Sequence, residues 1–143
     1  MNSFKTTITI AGSVDTIWQV LLDVARWPDW NTTIDKVEGK ASLGEKITVY
    51  STANPGRAFA LKVTELIPLE RMVWTGGMPL GLFTGKRTYT LTPQDDTSIR
   101  FSMNEAFSGL LAPLITKSIP DLQPSFDEFA SCLKKHVESL NTE

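Results

Sequence analysis

Apolar and polar positions alternate through the middle of this chain and recur at helical spacing towards both ends. Phe4, Thr6, Ile8 and Ile10 alternate with Lys5, Thr7 and Thr9, a β-branched run that predicts a strand. Gly12 breaks it. Val14, Ile17, Trp18, Leu21, Leu22 and Ala25 then follow at helical spacing. Ser13 stands where an N-cap belongs, and Asp15 falls in the first turn, where a carboxylate suits the helix dipole. Pro28 confines the residue before it to extended geometry, which predicts that this helix ends near Arg26-Trp27. Trp27-Pro28-Asp29-Trp30-Asn31 reads as a tight corner leading into a short second helix.

From Ile34 to Phe107 the pattern is that of strands: Ile34 to Glu38, Glu45 to Thr52, Arg57 to Ile67, Arg71 to Thr75, Leu82 to Leu91 and Thr97 to Phe107. Gly39, Gly44, Asn54-Pro55-Gly56, Pro68, Gly76-Gly77 and Gln94-Asp95-Asp96 punctuate them. Connections this short imply an antiparallel meander. Beyond Gly109 the helical period returns, with Leu122, Phe126, Phe129, Leu133, Val137 and Leu140 as one apolar stripe. Proline inside a helix costs about 3 kcal/mol unless it sits in the first turn. Pro113, Pro120 and Pro124 therefore predict a break near Ser118-Ile119-Pro120, with Asp121 or its neighbours starting the final helix. The order is α+β: a single domain over residues 1–143, in which a meander closes over one long helix and leaves a space that suits a small ligand.

Composition narrows the partners. The chain of 143 residues is 41% hydrophobic and 21% charged, with a formal net charge of −2, which is ordinary for a globular domain able to bury a core. No Lys or Arg run suggests a phosphate-tracking surface, so nucleic acid is not expected. Lys134-Lys135-His136 falls near the end of the last helix, where it complements the dipole. Cys132 is the only cysteine, so no intrachain disulfide forms. The opening residues lack the pattern of a signal peptide, and no apolar run approaches the roughly 18 residues of a membrane span. A cytoplasmic monomer or homodimer without integral membrane association is expected. No His, Cys and carboxylate set has metal-ligand spacing, no glycine string fits a phosphate loop, and no cofactor is expected.

Two strings carry the candidate chemistry. In Leu82 to Leu91, Arg87, Tyr89 and Leu91 share a face; in Ile99 to Leu111, Ile99, Phe101, Met103, Glu105 and Phe107 do. An apolar face that carries one cation and one anion suits a lined cavity better than a plain core.

The element order and several strings resemble the START-like, or helix-grip (birch-pollen-allergen-like), superfamily, and within it the polyketide cyclase/dehydrase (SRPBCC) branch. The strings are Ile17 to Asp23 with Trp27-Pro28-Asp29-Trp30-Asn31; Met72-Val73-Trp74-Thr75-Gly76; Gly81-Leu82-Phe83-Thr84-Gly85; and Asn104 to Leu111. The resemblance implies a seven-stranded antiparallel sheet wrapped around the C-terminal helix, with a deep apolar cavity between them. Members of this superfamily bind lipids, hormones, polyketides or other hydrophobic molecules; a few catalyse cyclisation or dehydration, and others serve as chaperone cofactors. The chain departs from the family pattern. An acidic residue and a histidine commonly follow the glycine matched by Gly85, whereas Lys86 and Arg87 stand here, and Asn104 replaces a frequent arginine. A mechanism that needs a histidine base at the position of Arg87 is therefore in doubt.

Arg87 and Glu105 face each other across the Gln94-Asp95-Asp96 turn, opposite or one diagonal step apart. They either orient the polar end of a ligand or form a structural ion pair within the sheet. Trp74, Phe83, Tyr89, Phe101, Met103 and Phe107, with Phe59, Leu61 and Val63, are expected on the inner sheet face. Phe126, Phe129, Ala130 and Leu133 oppose them from the helix. As ligand contacts these apolar residues compete with the simpler role of core packing. Trp27 and Trp30 either rim the cavity or plug one end of the fold. Met78-Pro79-Leu80 and the flanking glycines form either a gate or a plain hairpin tip. Cys132 and His136, four apart on the last helix, lack a third orienting group and do not make a nucleophile and base. Three functions follow from this reading: a carrier or sensor of a small hydrophobic molecule, a cyclase or dehydratase using Glu105 as acid or base with Tyr89 and Arg87, or a protein-interaction module.

Overall fold

Six strands joined by short turns run back and forth into one curled antiparallel sheet, and a seventh, the first in the chain, joins them at the far edge. The computed structural model describes residues 3–52, 56–119 and 121–140. Strand β1 (Ser3–Ala11) leads to helix α1 (Val14–Leu22), a 3-10 turn (Val24–Arg26) and helix α2 (Trp27–Trp30). Strands β2 (Ile34–Gly39), β3 (Lys46–Ser51), β4 (Ala58–Ile67), β5 (Arg71–Met78), β6 (Phe83–Pro93) and β7 (Ser98–Ser108) follow. Helix α3 (Ala112–Ile115), a second 3-10 turn (Thr116–Ser118) and the long helix α4 (Gln123–Leu140) complete the chain. The strand order is β1-β7-β6-β5-β4-β3-β2, so α1 and α2 carry the chain from one edge of the sheet to the other. This is the α+β helix-grip arrangement that the hydrophobic pattern and the family resemblance lead one to expect.

The local chemistry of each element is visible. Ser13 Oγ accepts a hydrogen bond from Thr16 N at 3.1 Å and caps α1. Pro28 starts a helix instead of following one: it stands in the first turn of α2, where its missing N–H has no partner to lose. Trp27 before it is helical, with φ −53° and ψ −40°, because the packed Trp27 ring holds the corner closed against the usual preference. Pro124 sits in the first turn of α4 for the same reason as Pro28. The 3-10 turn ends in an extended Ile119; Pro120 of the expected break, and Asn54 and Pro55 of the expected turn, lie outside the described residues. Gly76 and Gly77 do not end β5 as expected but continue it, paired with Gly85 and Thr84.

A bulge between Val63 and Glu65 resets the alternation of β4, so Leu66 returns to the inner face opposite Met72. The inner face closes on α4 through Phe126, Phe129, Ala130, Leu133 and Val137. Leu140, at the end of the expected stripe, is exposed instead. Aromatic rings fill the middle of this core. Trp27 stacks on Trp74 at 5.2 Å, and Phe101 stacks on Phe129 at 6.0 Å. Each large apolar side chain removed from water there contributes about 1.5–3 kcal/mol.

α4 also reaches over the free edge of β1 with polar side chains. Gln123 Nε2 donates to the Lys5 carbonyl at 2.8 Å, and Lys134 Nζ donates to the Thr9 carbonyl at 2.8 Å. Ala11 N donates to Glu138 Oε2 at 2.9 Å, and Thr6 Oγ1 donates to Asp127 Oδ1 at 2.9 Å. Among the described residues, no helix is long and apolar enough to cross a membrane.

Candidate functional site

A pocket of about 570 Å³ lies between the inner face of the sheet and the first half of α4. Phe59, Leu61, Trp74, Phe83, Met103 and Phe107 line it from the strands. Phe126 and Phe129 line it from α4, and Ile115, Ile119 and Leu122 from the segment before that helix. Two glycines deepen its wall. Gly76 and Gly85 are direct cross-strand partners. A Cβ on Gly76 would come within 2.6 Å of Leu61 Cδ2 and 2.9 Å of the Ala60 carbonyl oxygen, so only glycine fits there. A Cβ on Gly85 would make ordinary contacts, at 3.4 Å from Phe107 and 3.5 Å from Glu105 Oε2.

Arg87 and Glu105 are in direct register on β6 and β7. Arg87 Nε donates to Glu105 Oε1 at 2.7 Å, and one terminal guanidinium nitrogen lies 2.5 Å from the same oxygen. Both side chains face the pocket, at 21% and 15% exposure. The guanidinium also stands 4.9 Å over the Phe126 ring. Burial is the strongest influence on Arg87 and works against its charge, but Glu105 and Tyr89 beside it together outweigh burial and hold the arginine protonated. Below the pair, the buried Tyr89 hydroxyl lies near the guanidinium without a well-directed hydrogen bond to it. Burial pushes the Tyr89 hydroxyl up to about 12, against the pull of Arg87, so it stays protonated at neutral pH.

The expected site residues separate into two layers. Trp74, Phe83, Arg87, Met103, Glu105, Phe107, Phe126 and Phe129 all border the pocket. Tyr89, Phe101 and Leu133 are fully buried in the core and do not border it. Tyr89 is hemmed in by Trp27, Trp74 and Phe129, with ring centroids 5.8, 5.1 and 6.0 Å away. Trp27 is likewise fully buried, and Trp30 stacks on His136 at 5.7 Å; neither borders the pocket. Met78 does border it, while Leu80 at the hairpin tip is 94% exposed. Cys132 Sγ lies 3.6 Å from Glu128 Oε2, and His136 is taken up by the Trp30 stack, so the two residues do not form a working pair. Among the described residues, no group of three or more His, Cys, Asp or Glu is placed to hold a metal ion.

Thr33, Ser51 and Arg57 also border the pocket, and no sequence motif marks them. Parity was the available signal for Arg57: it precedes Phe59, Leu61 and Val63 at the same two-residue spacing.

The chain matches, over residues 1–138, the family described as polyketide cyclase / dehydrase and lipid transport, and it belongs to that family. Its fold is shared by a START superfamily protein from Mycobacterium smegmatis, with a TM-score of 0.73 and 16% identity over 96% of this chain and 98% of that one. It is also shared by a Thalictrum norcoclaurine synthase point mutant in complex with a transition-state analogue, with a TM-score of 0.74 and 16% identity over 98% and 96% of the two chains. The di-domain ARO/CYC protein BexL of the BE-7585A biosynthetic pathway aligns with a TM-score of 0.69 and 18% identity, over 100% of this chain and 48% of its own. At such identities the likeness is one of fold alone. No curated protein matches the chain by sequence.

Proposed function

We propose that this chain binds a small hydrophobic molecule between the sheet and α4, as a carrier or sensor, with a polar end of the ligand near Arg87 and Glu105. The observation that supports this is the ion pair in the pocket wall. Arg87 engages only one of the two Glu105 carboxylate oxygens, which leaves Oε2 to accept a hydrogen bond from a ligand hydroxyl or amine. The volume falls within the roughly 300–1,000 Å³ of small-molecule sites, and the mostly apolar lining is of the matching kind. Native mass spectrometry of the freshly purified protein tests the reading. A bound small molecule at near-stoichiometric occupancy is the expected result. An empty protein that also fails to bind an uncharged apolar fluorophore counts against it.

The second reading is a cyclase or dehydratase in which Glu105 transfers a proton, as the enzyme names among the structural neighbours suggest. Tyr89 would assist from behind the pair as a neutral hydroxyl whose oxygen lies near the Arg87 guanidinium. Glu105→Gln keeps the size and a hydrogen bond to Arg87 but removes the proton acceptor. Turnover of a substrate should then fall with binding retained, whereas a carrier shows no turnover to lose.

A further inference from the structure

The pocket wall carries three charged side chains among the described residues: Arg57, Arg87 and Glu105. Two of them neutralise each other. Arg57 has no carboxylate partner among the described ion pairs. It stands just before β4, in step with Phe59 on the inner face, and its guanidinium lies 5.4 Å over the Phe59 ring, itself part of the wall. The register places its neighbour Ala58 opposite Tyr50, which brings Ser51, another wall residue, alongside Arg57. One end of the pocket is therefore polar and cationic.

The other polar end is distant. Val63 is in register with Trp74, and Trp74 with Arg87. Arg57, one residue before β4, lies six residues from Val63, which strand geometry makes about 20 Å of extended backbone. Between the two ends the lining is aromatic and aliphatic.

We propose that the molecule this pocket selects is an elongated amphipathic anion, with its carboxylate or comparable anionic group on Arg57, its apolar body along the aromatic lining, and an uncharged polar end at Arg87 and Glu105. This rests on the ligand-binding reading above and adds the charge and orientation of the ligand. A cationic amphiphile is disfavoured, because the carboxylate in the wall is already matched by Arg87.

Two fluorophores with the same skeleton separate the terms: 1-anilinonaphthalene-8-sulfonate carries an anionic group, and N-phenyl-1-naphthylamine does not. Both should bind the wild-type protein and displace each other. Arg57→Gln should weaken the sulfonate about two- to five-fold, the range of an exposed charge pair, and leave the uncharged probe unchanged. Arg57→Lys should retain most of the sulfonate affinity, and added salt should erase the difference between wild type and Arg57→Gln. If both probes bind and Arg57→Gln shifts neither, or weakens both alike, the anion preference is wrong while the cavity reading stands. If neither probe binds the wild-type protein, the cavity reading fails and this inference with it.

Discussion

Arg87 places two of its nitrogens on a single oxygen of Glu105, across a register that puts the two residues directly opposite each other. A pair built this way is sensitive to losing one member and tolerant of losing both. Arg87→Met leaves a half-buried carboxylate without its cation, and we expect a loss of about 3 kcal/mol in urea unfolding. The double variant Arg87→Met with Glu105→Leu should recover most of that loss. A strictly additive result would show that the two side chains are not coupled.

Tyr89 presents a second measurable consequence. Its hydroxyl is buried without a partner, and its pKa is raised from the ordinary 10.0 to about 12. A group with a raised folded-state pKa contributes its stability in full below the unfolded value and loses it as pH climbs through the folded value. Stability should therefore decline between about pH 10 and pH 12, where only the unfolded chain ionises this tyrosine. Tyr89→Phe should diminish that alkaline loss. At neutral pH it should match the wild type or exceed it by up to about 1 kcal/mol, since an unpaired buried donor is removed. Urea midpoints measured on both sides of pH 10 decide the matter.

Gly85 offers a way to fill the pocket without touching the core. It has no positive φ, and a Cβ there meets its neighbours at ordinary distances. A β-branched residue is at home in a strand. Gly85→Val should fold normally and weaken N-phenyl-1-naphthylamine about ten-fold or more, by crowding the space beside Glu105. Unchanged fluorescence titrations would place the ligand elsewhere. Met103, 1% exposed between Tyr89 and Thr6, is a poorer target for enlargement because its neighbours cannot yield.

Leu80 breaks a backbone rule. It has φ of 62° and is 94% exposed at the tip between β5 and β6. An L residue in the left-handed region is strained by about 1–2 kcal/mol. Leu80→Gly should relieve part of this, raising stability by about 0.5–1 kcal/mol after the added flexibility of the unfolded chain is counted. Thermal unfolding of the two proteins gives the answer directly.

Much of this architecture was legible because period and punctuation agreed. Alternation marked β1, β6 and β7, and the stripe from Leu122 to Val137 marked α4. The inward register of Arg87 and Glu105 followed from parity alone. The failures share a physical cause, which is that a residue's local preference yielded to packing. Gly76 and Gly77 read as a break but remain in β5, because Leu61 and the Ala60 backbone fill the space a side chain would need at Gly76. Tyr89 and Phe101 share a face with pocket residues, yet Trp27 and Phe129 lie against them and separate core from cavity. That boundary depends on contacts from α2 and α4, which no single strand's pattern contains. Arg57 carries no mark in the sequence beyond its parity, because a charge at the start of a strand looks like any exposed residue.

The hydrogen bonds from α4 to the rim of β1 bear on how this protein meets copies of itself. An open sheet has two sides on which another chain can add a strand, and such growth leads to fibrous or amorphous assemblies. Gln123, Lys134 and Glu138 occupy the backbone groups that an incoming strand would need along β1. The opposite side, β2, is short, broken by the irregularity between Ile34 and Lys36, and charged through the Lys36 and Glu38 pair. The two rims are thus guarded by different means, and the guard on β1 lasts only while α4 is seated. Lifting the helix would uncover a sticky margin, so the seating of α4 and the protein's resistance to self-association are tied to the same few hydrogen bonds.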